Sequence, residues 1–288
     1  MRLVLLFLLS SAALAQGPGG GEKVEFAVGR ETIFGYLFRP QAMPGGKQAA
    51  IVIVHGSGGV RPAQMGFWAN ELAALGLVVL VTDSFTPRGV DSTVEDQSRV
   101  TALQMLRDAF AALAFLSRQE YVDAQRVALM GMSKGGTVAL LAADQQALRG
   151  GPAFAAHVPL YPSCTLQYRH PRPTAPLLLL IGERDNYTGI KLCAQYVERL
   201  RAAGGRAELK IYPGAHHGFD GDPSAQREFF LARAENYSDC VIFIEDDGKL
   251  APFDRGCIRK GATVASSLRT RTQALEDVRS FLKAIVLN

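Results

Sequence analysis

Ser133 stands at the centre of the sequence Gly-Met-Ser-Lys-Gly, which matches the Gly-x-Ser-x-Gly pattern of a serine nucleophile. The apolar run Val127–Met130 precedes it, and a stretch typical of a helix follows it. This context predicts a strained strand-to-helix turn, where Gly131 and Gly135 leave room for close packing around the serine. Because chance supplies roughly one such pattern in ten chains of this length, the prediction depends on the strand and helix around it.

A serine hydroxyl becomes a good nucleophile only when a base accepts its proton and a carboxylate orients that base. Asp185 and His217 each follow an apolar run of their own, as Ser133 does. The order Ser133, Asp185, His217 is that of the α/β-hydrolase triad. Taken singly, Asp185 also fits a helix N-cap, and His216 or His217 fits an ordinary loop residue. Their joint order and placement favour a catalytic triad.

Acyl transfer also requires N–H groups that stabilise the developing oxyanion. Lys134 follows the nucleophile directly and is expected to supply one backbone N–H. Ser57, in the turn at 55–59, is expected to supply the other. His55 opens this turn and is interpreted as a residue that orients it, not as a second base.

The substrate pocket is expected to draw on large or cationic side chains. A cationic pocket would suit an ester or lactone that bears a carboxylate. Arg88 has a structural alternative, which is an ion pair with Asp83 or Asp91. The candidates for substrate binding are Arg88 and Tyr161, with Trp68 and Arg184 as further lining residues.

These residues belong to a chain in which apolar runs alternate with helical stretches. The runs are short and continuous, which is typical of strands buried on both faces of a mostly parallel sheet with helices on both sides. Two extended segments, 23–28 and 32–38, precede them as an antiparallel lead-in. The predicted parallel strands are 49–54, 77–82, 126–130, 154–160, 175–181 and 207–212. The predicted helices are 63–75, 98–117, 134–148, 190–203 and 265–286.

In such a sheet, ligands bind at the carboxyl ends of the strands. The reactive residue types in this chain come directly after the predicted strands. We therefore expect them to meet at one edge of the sheet.

The composition of the 288 residues is that of one globular domain, with 48% hydrophobic and 20% charged residues. The formal net charge of +4 is scattered along the chain, which argues against nucleic acid or a membrane as the main partner. The sequence implies no metal and no cofactor, and it carries no signal for the oligomeric state. The expected partner is a small-molecule ester or lactone.

Residues 1–15 are predicted to form a signal peptide. Arg2 supplies a positive charge, an apolar run follows, and Ala13 and Ala15 match an A-x-A cleavage signal. The run is shorter than the ~20 apolar residues that span a bilayer. The alternative is a buried N-terminal strand. We expect residues 16–288 to be a single secreted or periplasmic domain.

Four cysteines in an exported chain are expected to form disulfides, and the sequence permits three pairings. Cys240 with Cys257 is favoured because the residues between them have the pattern of a short strand, a turn and a return. Cys164 would then pair with Cys193. The Cys240–Cys257 bond would close a hairpin-like excursion of the chain.

Several short motifs come directly after predicted strands. They are His55-Gly56, Asp83-Ser84-Phe85 with Pro87-Arg88-Gly89, and the segments 131–136, 182–185 and 212–219. Together they resemble the dienelactone hydrolase family of α/β-hydrolases over most of residues 23–287. The resemblance implies the α/β-hydrolase fold, ester or lactone hydrolysis, and His217 instead of His216 as the base. It also implies that residues 236–261 are a disulfide-closed insertion absent from the compact family core. The family's namesake enzymes carry a Cys nucleophile. Ser133 resembles instead the nucleophile of exported serine-dependent relatives with esterase-like activity.

Other functions compete with hydrolysis. A dinucleotide-binding oxidoreductase would use Gly56 and Gly58 after one strand and Asp83 after the next, but Arg61 and Pro62 stand where the third glycine belongs. A non-catalytic binding protein on the same fold would not need an intact triad. A metal-dependent site would have to use adjacent histidines, whose side chains point apart.

Overall fold

The computed structural model describes residues 17–43, 45–144, 151–225 and 227–287. The predicted signal peptide and the end of the predicted helix 134–148 lie outside them. Within the described residues, no helix is long and apolar enough to cross a membrane. The helices are α1 Pro62–Ala74, α2 Ala102–Ser117, α3 Lys134–Ala143, α4 Ile190–Ala202 and α5 Leu268–Leu282. The first nine strands are β1 Glu22–Val28, β2 Glu31–Phe38, β3 Gln48–Val54, β4 Val78–Asp83, β5 Val122–Met132, β6 Ala156–Leu160, β7 Leu166–Tyr168, β8 Leu177–Gly182 and β9 Ala207–Tyr212.

One large sheet has the strand order β1-β2-β4-β3-β5-β6-β8-β9. β1 pairs antiparallel with β2, and β2 pairs antiparallel with β4. Every pairing from β4 through β9 in this order is parallel. The predicted α/β fold, a mostly parallel sheet with an antiparallel lead-in, is confirmed.

β3 lies in the middle of this sheet and shows why its strands are apolar throughout. Val52 and Val54 belong to a core cluster that also contains residues of α2, whereas Ile51 and Ile53 belong to a cluster with residues of α1 and α5. Successive side chains of a strand point to opposite faces. Both faces of the sheet are therefore covered by helices, and the carboxyl ends of the strands stay open for a site.

α2 begins at Ala102, four residues later than predicted. The Thr101 hydroxyl accepts a hydrogen bond from the Gln104 N–H, and the Gln104 side-chain oxygen accepts one from the Thr101 N–H, so a capping box fixes the start. α5 likewise begins at Leu268 after the cap residue Ser267.

Residues 227–266 lie between β9 and α5, and we call them the 227–266 segment. In place of the predicted return strand after the turn, the structure has an isolated antiparallel β-bridge between Ile244 and Leu250. The parallel pairing of the segment with β7 was not predicted from the sequence. Its strands are β10 Phe229–Phe230, β11 Glu235–Asn236, β12 Ile242–Ile244, β13 Arg259–Lys260 and β14 Thr263–Val264.

Candidate active site

Ser133 lies between the end of β5 and the start of α3 in a strained conformation, with φ 55° and ψ −116°. A Cβ at Gly131 would lie 2.1 Å from the Gly135 carbonyl oxygen, and a Cβ at Gly135 would lie 2.1 Å from the Val54 carbonyl oxygen. Only glycine fits where backbones approach this closely. The two glycines of the motif thus allow the turn that presents the serine hydroxyl.

A continuous hydrogen-bonded chain joins Ser133, His217 and Asp185. His217 Nε2 lies 2.9 Å from Ser133 Oγ, and His217 Nδ1 lies 2.9 Å from Asp185 Oδ2. Each residue comes from a loop after a different strand, at the carboxyl edge of the sheet. The structure therefore brings together the three residues that the sequence predicted to meet.

Asp185 is held in place by its own loop. Its Oδ1 accepts hydrogen bonds from the backbone N–H groups of Tyr187 and Thr188, and its Oδ2 accepts one from the Thr188 hydroxyl, each at 2.9 Å. Burial alone would raise the pKa of this carboxyl, but His217 and the Thr188 donors bring the pKa below its ordinary value. Asp185 is therefore ionised and oriented toward His217.

Two aromatic rings confine the His217 imidazole. The Tyr161 ring lies edge-on, with 4.6 Å between centroids, and the tilted Tyr187 ring lies at 4.8 Å. Burial raises the pKa of Tyr187 to about 12, so its hydroxyl is neutral. Tyr187 was not predicted from the sequence as a site residue, although its position two residues after Asp185 could have suggested it.

The Tyr161 hydroxyl is part of a buried network centred on Asp220. It donates a hydrogen bond to the Asp220 carboxylate, and Gln64 Nε2 donates to both residues, at 2.8 and 2.9 Å. Trp68 Nε1 donates to the other Asp220 oxygen at 2.6 Å, and the Trp68 side chain is fully buried. Tyr161 therefore lines the site, as expected. Trp68 is a core residue and not the lining residue that we expected. The network was not predicted, since its members lie far apart in the sequence.

The two residues expected to supply the oxyanion donors, Ser57 and Lys134, line the same cavity as Ser133. A Cβ built on Gly56 would lie 3.2 Å from the Ser133 Cβ, so the turn that holds Ser57 packs against Ser133. The Ser57 carbonyl accepts a hydrogen bond from the Thr93 N–H at 2.8 Å. Lys134 is the first residue of α3, where backbone N–H groups have no partner inside the helix.

The Lys134 side chain fixes the loop that supports this turn. Its Nζ donates to Thr93 Oγ1 at 2.9 Å, to the Gln97 carbonyl at 3.1 Å and to the Val100 carbonyl at 2.6 Å. Burial lowers the pKa of Lys134 to about 7. The sequence predicted a role for its backbone only, because these partners belong to another loop.

His55 connects the ends of β3 and β4. Its Nδ1 lies 2.8 Å from the Gly56 carbonyl oxygen, and its Nε2 accepts a hydrogen bond from the Ser84 N–H at 3.2 Å. Burial lowers the pKa of His55, which keeps the ring neutral. These contacts are those of a residue that orients the turn.

Arg88 does not have the position expected of a substrate-binding residue. Its guanidinium makes two hydrogen bonds to Asp108, at 2.6 and 2.9 Å, and an ion pair with Glu31. It does not occur among the described residues that line the cavities next to Ser133. The hydrogen bond with Asp108 raises the pKa of Arg88. Asp108 is fully buried on α2, where the arginine compensates its charge, whereas Asp83 Oδ1 accepts hydrogen bonds from the backbone N–H groups of Phe85 and Thr86.

His216 and Arg184 face away from the triad. His216 Nε2 lies 2.9 Å from Glu228 Oε1, and Arg184 pairs with the same carboxylate at 3.5 Å on the exposed surface. The side chains of His216 and His217 thus point to different partners, as expected for adjacent histidines.

The four cysteines form the bonds Cys164–Cys193 and Cys240–Cys257. The first bond is buried and ties the loop after β6 to α4, the helix that follows Asp185. The second lies within the 227–266 segment and links residues that are 17 positions apart. These are the pairs that the sequence favoured.

Fold and site together define the class of the protein. A serine on a strained turn after a central strand, with its acid and its histidine after later strands of a mostly parallel sheet, is the arrangement of the α/β-hydrolases. The sequence also matches the profile of the dienelactone hydrolase family over residues 33–244. The chain belongs to the dienelactone hydrolase family and is a carboxylic ester hydrolase.

Individual relatives are distant. The "Probable 2-oxo-3-(5-oxofuran-2-ylidene)propanoate lactonase" of a Bradyrhizobium species is 28% identical over 212 residues, which cover 68% of this chain and 82% of the relative. The "Putative carboxymethylenebutenolidase" of Methylorubrum extorquens is 29% identical over 206 residues, covering 65% and 70%. The fold is also that of Thermogutta terrifontis esterase 2 phosphoramylated by tabun, with a TM-score of 0.57, 20% identity and coverage of 71% and 87%.

Proposed function

We propose that this enzyme cleaves a carboxylic ester or lactone through an acyl-enzyme on Ser133, with His217 as base and Asp185 as the acid that orients it. The observation that carries the proposal is the hydrogen-bonded chain from Ser133 Oγ through His217 to Asp185, with 2.9 Å at each link. Such a chain removes the serine proton during attack and stabilises the imidazolium that results.

The first half of the reaction forms the acyl-enzyme. Ser133 Oγ attacks the carbonyl carbon, and its proton moves to His217 Nε2. The negative charge that develops on the carbonyl oxygen is stabilised by the backbone N–H groups of Ser57 and Lys134. The bond to the alcohol oxygen then breaks, and this oxygen takes the proton from His217.

The second half releases the acid. A water molecule gives a proton to His217 and attacks the acyl carbon, and the bond to Ser133 Oγ breaks as this oxygen recovers the proton. Asp185 remains ionised throughout, in keeping with its lowered pKa. In support, the name of the Bradyrhizobium relative describes a lactonase, and the Thermogutta esterase has been obtained phosphoramylated by tabun.

A fluorophosphonate probe tests the proposal. It should add its mass to the peptide that contains Ser133, and Ser133→Ala should abolish both labelling and ester hydrolysis. Ser163→Ala is the matched control, because this nearby serine bonds to the Thr165 hydroxyl and should not be labelled. Labelling that persists in Ser133→Ala would refute the assignment.

We also propose that residues 1–15 are a signal peptide and that residues 16–288 act as one exported domain. The two disulfides support a location in an oxidising compartment. The intact mass of the protein recovered from a periplasmic or secreted fraction should correspond to a chain that starts at Gln16. A mass that includes residues 1–15 would contradict cleavage.

A further inference from the structure

Two cavities meet at Ser133. One has a volume of about 520 Å³ and contains His217 in its wall, and we call it the histidine-side cavity. The other has a volume of about 280 Å³ and contains Lys134 and Thr137 from the first turn of α3, and we call it the helix-side cavity. Among the described residues, the two linings share Ser57, Ser133 and Tyr187. A molecule bound at Ser133 can therefore extend in two separate directions.

The 227–266 segment supplies walls to both cavities. Phe229, Leu231 and Val264 line the histidine-side cavity, whereas Leu250 and Phe253 line the helix-side cavity. Part of the wall of each cavity thus belongs to a segment that contains the Cys240–Cys257 bond.

The geometry of the reaction assigns a role to each cavity. In the tetrahedral intermediate, the carbon bonded to Ser133 Oγ carries three other substituents. The oxyanion points toward the N–H groups of Ser57 and Lys134. The leaving alcohol oxygen must lie near His217 Nε2, which protonates it. The acyl chain takes the remaining direction, away from His217.

We propose that the histidine-side cavity holds the alcohol part of the substrate and that the helix-side cavity holds the acyl part. This proposal rests on the proposed function, since it requires His217 to protonate the leaving group. Cavities that bind drug-sized ligands have volumes of roughly 300–1,000 Å³. The histidine-side cavity falls within this range and the helix-side cavity just below it. The favoured substrates are therefore esters with a compact acyl group and a larger, apolar alcohol.

Isomeric esters test the assignment because they contain the same atoms. Hexyl acetate places the long chain on the alcohol, and ethyl hexanoate places it on the acyl group. After correction for their rates of alkaline hydrolysis, we expect kcat/KM to be at least tenfold higher for hexyl acetate. Equal values, or a preference for ethyl hexanoate, would overturn the proposal.

Two leucine variants separate the cavities. Leu231 lines the histidine-side cavity and Leu166 the helix-side cavity, and both side chains are half-buried. Leu231→Trp should lower the ratio of kcat/KM for hexyl acetate to that for ethyl hexanoate, and Leu166→Trp should raise it. Leu268→Trp, at an exposed position outside both linings, should leave the ratio unchanged. A ratio measured within one variant is independent of any loss of folded enzyme.

Deacylation gives a second readout, because the alcohol has already left. In burst experiments with p-nitrophenyl hexanoate, Leu166→Trp should slow the steady phase more than Leu231→Trp does. The opposite order would mean that the histidine-side cavity holds the acyl part and the helix-side cavity holds the alcohol part. Ratios that do not change in either leucine variant would show that the cavities do not bind substrate. If either of these results is found and the fluorophosphonate still labels Ser133 of the wild-type enzyme, only the cavity assignment is wrong. If Ser133 is not labelled, the proposed function itself is wrong.

Discussion

The ring of Tyr161 lies edge-on against the imidazole of His217, with 4.6 Å between their centroids. The Tyr161 hydroxyl is fixed at the opposite end by the buried carboxylate of Asp220 and by Gln64. Tyr161 therefore connects a buried hydrogen-bond network to the imidazole of His217, which is proposed to accept the Ser133 proton.

Substitutions at Tyr161 should separate the role of its ring from the role of its hydroxyl. Tyr161→Phe keeps the ring against His217 but removes a buried hydrogen bond, so we expect the free energy of unfolding to fall by about 1–2 kcal/mol with kcat nearly retained. Tyr161→Leu removes the ring, and kcat should fall at least tenfold. Denaturant unfolding and ester kinetics measure both effects. Equal kcat values in the two variants would contradict a positioning role for the ring.

The adjacent histidines should differ strongly in their effect on catalysis. His217→Ala removes the proposed base and should lower kcat by roughly 10³-fold or more. His216→Ala removes a side chain that contacts Glu228, so its effect on kcat should be much smaller. Steady-state kinetics on one ester compares the two, and a larger loss at His216 would reassign the base.

Asp185→Asn should lower kcat by about 10⁴-fold while the protein stays folded. The N–H groups of Tyr187 and Thr188 require an oxygen at the Oδ1 position, so the amide nitrogen of the variant would face His217. The imidazole would then adopt the tautomer that cannot accept the serine proton. Circular dichroism verifies the fold, and an Asp185→Asn enzyme with kcat close to that of wild type would rule out this role.

The protein should lose stability in acid partly through His157. This side chain is fully buried on β6, and burial lowers its pKa to about 3. A histidine in the unfolded chain has a pKa of about 6.5. Between these values the unfolded chain binds a proton that the folded chain does not, so the free energy of unfolding decreases as the pH falls, by at most about 1.4 kcal/mol per pH unit.

A His157→Met variant isolates this contribution. The free energy of unfolding, measured with urea, should decrease from pH 6.5 to pH 4.5 in both proteins. This decrease should be smaller in His157→Met than in wild type by roughly 2–3 kcal/mol. His55 has a lowered pKa as well and is unchanged in the variant, so its share of the acid lability remains in both proteins. Identical decreases in the two proteins would exclude His157 as a source.

Breaking the Cys164–Cys193 bond should affect both stability and activity. A Cys164→Ala/Cys193→Ala double variant should lose ~3 kcal/mol of unfolding free energy, since the unfolded chain is no longer constrained. Activity should also fall because the bond links the loop after β6 to the helix that follows Asp185. Peptide mapping without reductant verifies the pairing in wild type. Unchanged kcat in the double variant would show that the bond does not support the acid.

Local patterns in the sequence were enough to place Ser133, Asp185 and His217 at one edge of the sheet. Continuous apolar runs form strands because both faces of a parallel sheet are buried, and Gly131 and Gly135 allow the turn at Ser133 because no Cβ fits there. Strand ends on one edge then bring together residues that are 84 positions apart, such as Ser133 and His217.

The tertiary structure decided which distant groups satisfy each charge and hydroxyl. Arg88 pairs with Asp108 and Glu31 instead of its sequence neighbours, and Tyr161 bonds to Asp220. The 227–266 segment supplies part of the wall of both cavities next to Ser133. The sequence determined the elements and the order of the reactive residues, because periodicity and turn chemistry act over a few neighbours. It could not determine these partners, because a buried charge is compensated by whichever opposite group the packing of helices and loops places beside it.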